Sequence, residues 1–391
     1  MKGGILRCRI KSVSATLILW AVIAILLLMY YGSAVTKDWN SSELSYSKLD
    51  SQESQRDIRE PTQARSSEVR RIVYIRIPKT GSSTMTMLVW RFAWARNLSV
   101  LAVNPKFEGT RDRLTHKMFF LPPPGQKYDV MAEHVLYNKE SFSNYLAEDA
   151  VYVTMLREPF SLLYSTLYYV PAFQKTITEV NKIEAYLKNP AKYDNTAIMA
   201  GRSYTKNPQS SFLGLRRRDF DNEGKIQELI SSIDRDFPVV LILERLDESL
   251  ILLRRVLKWP MKDIIYSVEN VNSAKPKLKI TPEHREKYKK WSLADHKLYN
   301  FFKKKLEESI EEAGPELQEE LAVFRKYKMD IARYCRFQTI MDEDMLFTES
   351  PYNERFSITR KDCSLIYVEP LVLISNIRKR QHAYPFLSPS L

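Results

Sequence analysis

Three short runs of β-branched and apolar residues constrain this chain more than any other feature. Each stops at a polar loop, and each loop opens into a helix-compatible stretch. Arg71–Ile77 (RIVYIRI) leads into the loop Pro78–Ser83 and the apolar stretch Thr84–Arg96. Ala150–Leu156 (AVYVTML) stops at Arg157-Glu158-Pro159, and a helical pattern follows from Phe160. Val239–Leu243 (VVLIL) gives way to Glu244-Arg245-Leu246 and a helix over Glu248–Lys258, with Asp247 expected at its N-cap. Runs this short and this rich in Val and Ile read as buried strands. Strands alternating with helices imply an α/β fold, a parallel sheet flanked by helices on both faces. From Pro282 to about Phe337 the pattern is helical, with Trp291, Leu298, Phe302 and Leu306 inward, so a C-terminal helical extension is expected from about residue 282. In parallel sheets, ligands gather beyond the carboxyl ends of the strands. That is where the polar loops fall.

The N-terminus carries a separate signal. No charged residue occurs between Lys11 and Lys37, and Leu17–Tyr31 (LILWAVIAILLLMYY) is almost wholly apolar. An uncharged stretch of about 20 residues is what a bilayer-spanning helix needs. Gly32-Ser33-Ala34 resembles a signal-peptide cleavage site, but the run before it is longer than a cleaved leader requires. The expected organisation is a cytosolic tail (1–11), a transmembrane signal-anchor (12–33), a flexible lumenal stem (34–69) and a lumenal domain (70–391). Positive charge on the N-terminal side alone orients the chain as type II. Two sequons fit that side, Asn40-Ser41-Ser42 and Asn97-Leu98-Ser99. Cys335 and Cys363 would share an oxidising lumen, where a disulfide between them competes with two free thiols. No Cys/His cluster suggests a metal site.

Composition narrows the partners. A hydrophobic content of 44% with 12% aromatic residues excludes wholesale disorder. The formal net charge is +13; Lys2, Arg7, Arg9 and Lys11 account for four, leaving +9 beyond residue 11. Such an excess suits an anionic ligand. Nucleic acid is disfavoured, because no finger spacing, recognition aromatics or basic low-complexity tail is present.

The first loop has the outline of a phosphate cradle: strand, then Pro78-Lys79-Thr80-Gly81-Ser82-Ser83-Thr84, then helix. Gly81 permits a tight turn, and N–H groups at a helix start face an anion that the helix dipole favours. Thr80, Ser82, Ser83 and Thr84 add hydroxyls, and Lys79 adds a point charge. The lysine precedes the glycine, whereas the ATPase phosphate loop places Gly-Lys-Ser/Thr last. The second loop offers Arg157 at a strand tip and Ser165 eight residues later. A guanidinium and a hydroxyl on one face can grip a second phosphate, although an Arg–Glu surface pair is the plainer reading. His134 follows Tyr128–Glu133 and is the candidate general base, since histidine titrates near neutral pH; Glu133 is the substitute. His284 and His296 fall on a charged helical pattern and are expected to be solvated. Lys275 and Lys277 sit in a basic loop that could close over a nucleotide. Trp90, Trp94, Trp259 and Trp291 could stack on a sugar, although Trp90 and Trp94 at helical spacing read better as core.

With these motifs in order, the chain resembles the Golgi carbohydrate sulfotransferases, and within them the galactose-3-O-sulfotransferase family that includes galactosylceramide sulfotransferase. The resemblance is carried by KTGSST at Lys79–Thr84, RFAWARNLSV at Arg91–Val100, YVTMLREPFSLLYSTLYY at Tyr152–Tyr169 and ERLDESLILLRRVLKWPMKDIIY at Glu244–Tyr266. It implies a P-loop-like sulfotransferase fold on a Golgi membrane anchor. It also implies transfer of a sulfuryl group from 3′-phosphoadenosine 5′-phosphosulfate (PAPS) to the 3-hydroxyl of a terminal β-galactose on a glycolipid or glycan. Lys79 would stabilise the leaving phosphate, His134 would act as base, and Arg157 with Ser165 would bind the 3′-phosphate. No metal is required, and a homodimer is left open. Where many members of the galactose family carry histidine directly before the lysine, this chain has Pro78, closer to uronyl and heparan 2-O-sulfotransferases. A uronyl or other glycan acceptor is therefore the alternative, and a catalytically silent glycan-binding relative is a second.

Overall fold

The computed structural model describes residues 68–104, 114–122, 125–194, 203–267, 280–337 and 343–381, all within a compact unit spanning Ser66–Leu391. The expected tail and anchor, nearly all of the expected stem, Asn40, Lys275 and Lys277 lie outside the described residues. Among the described residues, no helix is long and apolar enough to cross a membrane.

The expected strands form, slightly shortened, as β1 (Ile72–Ile75), β4 (Val151–Leu156) and β5 (Val239–Ile242); β2 (Val100–Leu101) and β3 (Val130–Glu133) complete the sheet. Their order is β2-β3-β1-β4-β5, and every pairing is parallel. The helices that position the site are α1 (Ser82–Ala95), α2 (Pro159–Tyr169), α3 (Pro208–Phe212), α4 (Glu223–Asp236) and α5 (Leu246–Leu257). They are followed by α6 (Pro282–Trp291), α7 (Leu293–Phe337), α8 (Arg360–Tyr367) and α9 (Pro370–Gln381).

Because strand side chains alternate between faces, the sheet separates two cores. Ile72, Tyr74, Val130, Ala132, Val153, Met155 and Leu241 pack on one face beneath α1 and α5. Val73, Ile75, Met131, Tyr152, Leu156, Val240 and Ile242 pack on the other beneath α4 and the first half of α7. With both faces covered, β1 is buried along its whole length. The second half of α7 returns to the first face through Leu317, Leu321 and Phe324. The break that permits this is Gly314, at φ 62° and ψ −156°, followed by Pro315. Neither residue continues a helix at that point. Arg254 and Arg255 on α5 pair with the buried Glu320 and hold the second half in place.

The region after 282 is not purely helical. Beyond α7 an antiparallel hairpin, β6 (Met345–Phe347) with β7 (Phe356–Ile358), precedes α8 and α9. The structure joins Cys335 of α7 to Cys363 of α8, with Cα atoms 5.3 Å apart. At the chain's return, Gln381 accepts from Val100 N–H (2.6 Å) and donates to its carbonyl (3.1 Å), closing the exposed β2 edge. Asp247 is not an N-cap: α5 starts two residues earlier than expected, at Leu246, with Arg245 at the cap. The Asp247 carboxylate instead accepts from Lys328 (2.6 Å), Tyr266 (2.7 Å) and Arg325 (3.0 Å).

Candidate active site at the carboxyl edge of the sheet

In this strand order the chain leaves β1 towards β2 on one side and leaves β4 towards β5 on the other, so β1 and β4 flank the topological switch point. A crevice opens at such a point. The loops after β1, β3, β4 and β5 therefore share one rim, and hydrogen bonds link them.

After β1, the backbone at Lys79 has φ 66° and at Gly81 φ 76°, with Thr80 between them at negative φ. Alternation of this kind turns successive N–H groups to one side and makes an anion-binding concavity. Lysine at positive φ costs on the order of 1 kcal/mol, which the surrounding structure must offset. Gly81 is enforced twice: by its φ, and because a Cβ there would lie 2.6 Å from Leu243 Cδ1. It opens α1, which has no side-chain cap, so the first N–H groups of a fourteen-residue helix meet the crevice without a protein acceptor from a cap. The helix begins at Ser82, before the expected Thr84, which places Ser82, Ser83 and Thr84 in its first turn. Ser82 is buried, Thr84 is half-buried and Ser83 is exposed. Thr80 departs from the expectation, since its buried hydroxyl donates to Ile77 O at 2.9 Å. Its contribution to an anion is therefore its backbone N–H.

Arg157, one residue past β4, reaches across to this loop: Nη1 donates to Lys79 O at 2.9 Å. Burial pulls the pKa of the Lys79 ammonium down, and the Arg157 charge adds to the shift. Burial also lowers Arg157, against the more distant carboxylates of Glu244 and Glu158. Neither cation forms an ion pair among the described residues, and Arg157 Nε is buried without a partner. The plain Arg–Glu pairing is not what forms, because Glu158 caps α2 through the N–H groups of Phe160 and Ser161. Lys79 Nζ lies 5.4 Å from the centroid of the Tyr169 ring. Ser165 is buried in the middle of α2.

On the other side of β1, His134 follows directly after β3. Its Nδ1 is 2.7 Å from Arg76 O, and its ring meets Phe212 edge-on at 6.4 Å. The substitute base, Glu133, is 6% exposed and accepts from Val103 N–H at 3.2 Å, turned towards β2. The structure thus brings Lys79, Gly81, Arg157 and His134 to one rim. It also holds His284 and His296 closer than solvated side chains. His284 completes a capping box with Thr281, while His296 sits half-buried against Ser292 O at 2.9 Å. Trp90 and Trp259 belong to the core; Trp94 lies under Arg380, and Trp291 under Lys206. Asn97 is exposed at φ 52°, just past the end of α1, a position asparagine tolerates. Among the described residues, no group of three or more His, Cys, Asp and Glu side chains is placed to hold a metal.

Sequence reasoning missed Gln209, Glu244 and Asp295. Gln209 bonds both backbone groups of Arg157, Glu244 accepts from Glu158 N–H at 3.0 Å, and Asp295 holds the start of α3. Only Asp295 had a legible signal: an acid in line with Leu298 and Phe302 on the buried stripe of α7.

A nucleotide bearing two anionic ends fits these residues. They supply an uncapped helix start, a glycine at positive φ where a Cβ would crowd Leu243, and two desolvated cations with no carboxylate paired to them among the described residues. Comparison with known proteins agrees. Residues 3–350 match the galactose-3-O-sulfotransferase family model. Galactose-3-O-sulfotransferase 2 of Homo sapiens is 30% identical over 281 residues, covering 70% of each chain. Galactosylceramide sulfotransferase of Bos taurus is 26% identical over 344 residues, 84% of this chain and 80% of its own. Galactose-3-O-sulfotransferase 3 of Mus musculus is 27% identical over 281 residues, 68% of this chain and 63% of its own.

Proposed function

The chain belongs to the galactose-3-O-sulfotransferase family, and from that premise we propose that it moves a sulfuryl group from PAPS to the 3-hydroxyl of a terminal β-galactose. The acceptor class is a galactosylceramide-type glycolipid or a glycoprotein glycan. The observation that carries this reading is the 2.9 Å contact between Arg157 and Lys79 O, which draws together, beside an uncapped helix start, two cations that form no ion pair among the described residues.

Bound there, PAPS supplies an activated sulfuryl group on a phosphate leaving group. The N–H groups of Thr80, Gly81, Ser82 and Ser83 and the ammonium of Lys79 hold the 5′ end, and Lys79 stabilises charge as it develops on the leaving phosphate. The Ser82, Ser83 and Thr84 side chains line the same loop. Arg157 and Ser165 take the 3′-phosphate, a dianion suited to a guanidinium. Arg76 O can only accept a hydrogen bond, so His134 carries its proton on Nδ1 and the lone pair of the neutral ring lies on Nε2. That nitrogen takes the proton from the sugar hydroxyl.

The same reading places the protein in the Golgi membrane as a single-pass type II protein, anchored by residues 12–33, with the domain from residue 70 in the lumen. The Cys335–Cys363 bond and the exposed sequon at Asn97 suit that oxidising, glycosylating side. Incubating the full-length protein in detergent with radiolabelled PAPS and a panel of acceptors tests the proposal. Label should enter β-galactosides blocked at neither position 3 nor the ring face, and should be lost when the 3-hydroxyl is removed. Pro78, where many relatives carry histidine, favours one alternative, a uronyl acceptor; label entering glycosaminoglycans in place of galactosides would select it.

A further inference from the structure

We propose that Gln209 is a positioning residue for donor recognition, fixing the backbone of Arg157 so that its guanidinium meets the 3′-phosphate. The inference rests on the reading above that Arg157 holds that phosphate.

Arg157 stands one residue beyond the sheet. The last registered pair between β4 and β5 is Leu156 with Ile242, and β1 has already ended at Ile75, opposite Thr154. At Arg157 the ladder therefore offers its peptide groups nothing, and a residue there would be free to turn. The Gln209 carboxamide takes the place of the missing strand. Its Oε1 accepts from Arg157 N–H at 2.8 Å, and its Nε2 donates to Arg157 O at 2.9 Å. One hydrogen bond would leave rotation about the residue. Two, on either side of Cα, set the direction in which the side chain leaves the backbone. From that anchor the guanidinium reaches Lys79 O.

Gln209 is itself held by a chain of buried polar groups. Its N–H donates to Asp295 Oδ2 at 3.0 Å, while Ser210 gives both its N–H and its hydroxyl to Asp295 Oδ1, each at 2.7 Å. Asn207 accepts from Asp295 N–H (3.1 Å) and donates its own N–H to Ser292 Oγ (2.9 Å). Asn207, Gln209, Ser210, Ser292 and Asp295 are all wholly buried. Apart from Asn207 Nδ2, the polar atoms of these side chains are hydrogen-bonded; such a line costs more to bury than apolar packing would, and what it gains is a single rigid geometry. Gln381 makes the same double bond to Val100 at the sheet edge, where it ends a strand. At Arg157 the device ends on a cation that forms no ion pair among the described residues.

The test compares two ligands on the full-length protein by calorimetric titration: 3′-phosphoadenosine 5′-phosphate and adenosine 5′-monophosphate, which lacks the 3′-phosphate. In Gln209→Met, similar in size but without either bond, affinity for the first should fall about tenfold or more, with affinity for the second within about twofold of wild type. Gln209→Asn retains a buried amide too short to span both groups; it should show the same selective loss, and it serves if the methionine variant does not fold. Equal weakening of both ligands, or no weakening of either, overturns the proposal. Arg157→Ala separates the layers. If it loses the discrimination and the Gln209 variants keep it, only the positioning role fails; if it keeps the discrimination, the phosphate assignment fails and takes this inference with it.

Discussion

The Nδ1 of His134, just past β3, lies 2.7 Å from the carbonyl oxygen of Arg76, three residues before Lys79 on the neighbouring strand's loop. One hydrogen bond thus ties the proposed base to the proposed donor cradle and sets the tautomer that a base requires. Removing the ring should affect proton transfer and leave the cradle intact. His134→Ala is expected to lower kcat by about 100-fold or more while titration with 3′-phosphoadenosine 5′-phosphate gives a nearly unchanged Kd. Unchanged turnover would move the base elsewhere.

Gly81 separates backbone need from packing need. Gly81→Ala should cost about 1–3 kcal/mol in denaturant unfolding, from positive φ and from collision with Leu243. In a Leu243→Ala background the collision is relieved and the conformational cost remains, so only part of the penalty should return. A full return would show that φ carries no cost there.

The bond between Cys335 and Cys363 closes a loop with a sequence separation of 28. Chain-entropy arguments give about 3–4 kcal/mol for a loop of that size. Cys363→Ala should therefore lower unfolding stability by about that amount, and adding reductant should destabilise the wild type without affecting the variant.

Burial pushes the Asp295 carboxyl up to about 6, against the pull of the Ser210 and Gln209 hydrogen bonds. Its folded-state pKa exceeds its unfolded one, so between about pH 4 and pH 6 unfolding releases a proton. The stability this group contributes is present below that window and lost as pH rises through it. Asp295→Asn removes the trend, so its unfolding free energy should climb more steeply than the wild type's between those pH values. Parallel pH profiles would contradict the assignment.

Much of this arrangement could be read from the residues. The strands after which Lys79 and Arg157 stand were legible because Ile72–Ile75 and Val151–Leu156 are apolar on both faces, as only a doubly covered strand can be. The outline of the loop at Lys79–Thr84 was legible because a lysine, a glycine and four hydroxyl residues follow the strand and lead into the helix. Asp247 misled, since an acid at the start of a helix looks the same whether it caps the backbone or, as here, receives Lys328 and Arg325 from a distant helix. The hairpin at Met345–Phe347 and Phe356–Ile358 was hidden by its brevity. Gln209 could not have been found at all: its partner lies 52 residues earlier in the chain, and a glutamine after Asn-Pro carries no mark of the backbone it will complete.

The account depends on two cations from different strand ends holding one doubly phosphorylated adenosine. The most direct test is calorimetric titration of the full-length protein with 3′-phosphoadenosine 5′-phosphate, repeated with Lys79→Ala and with ATP as competitor. Saturable binding that the substitution abolishes and ATP does not displace is the predicted result. Absence of binding, indifference to Lys79→Ala, or equal displacement by ATP would contradict it.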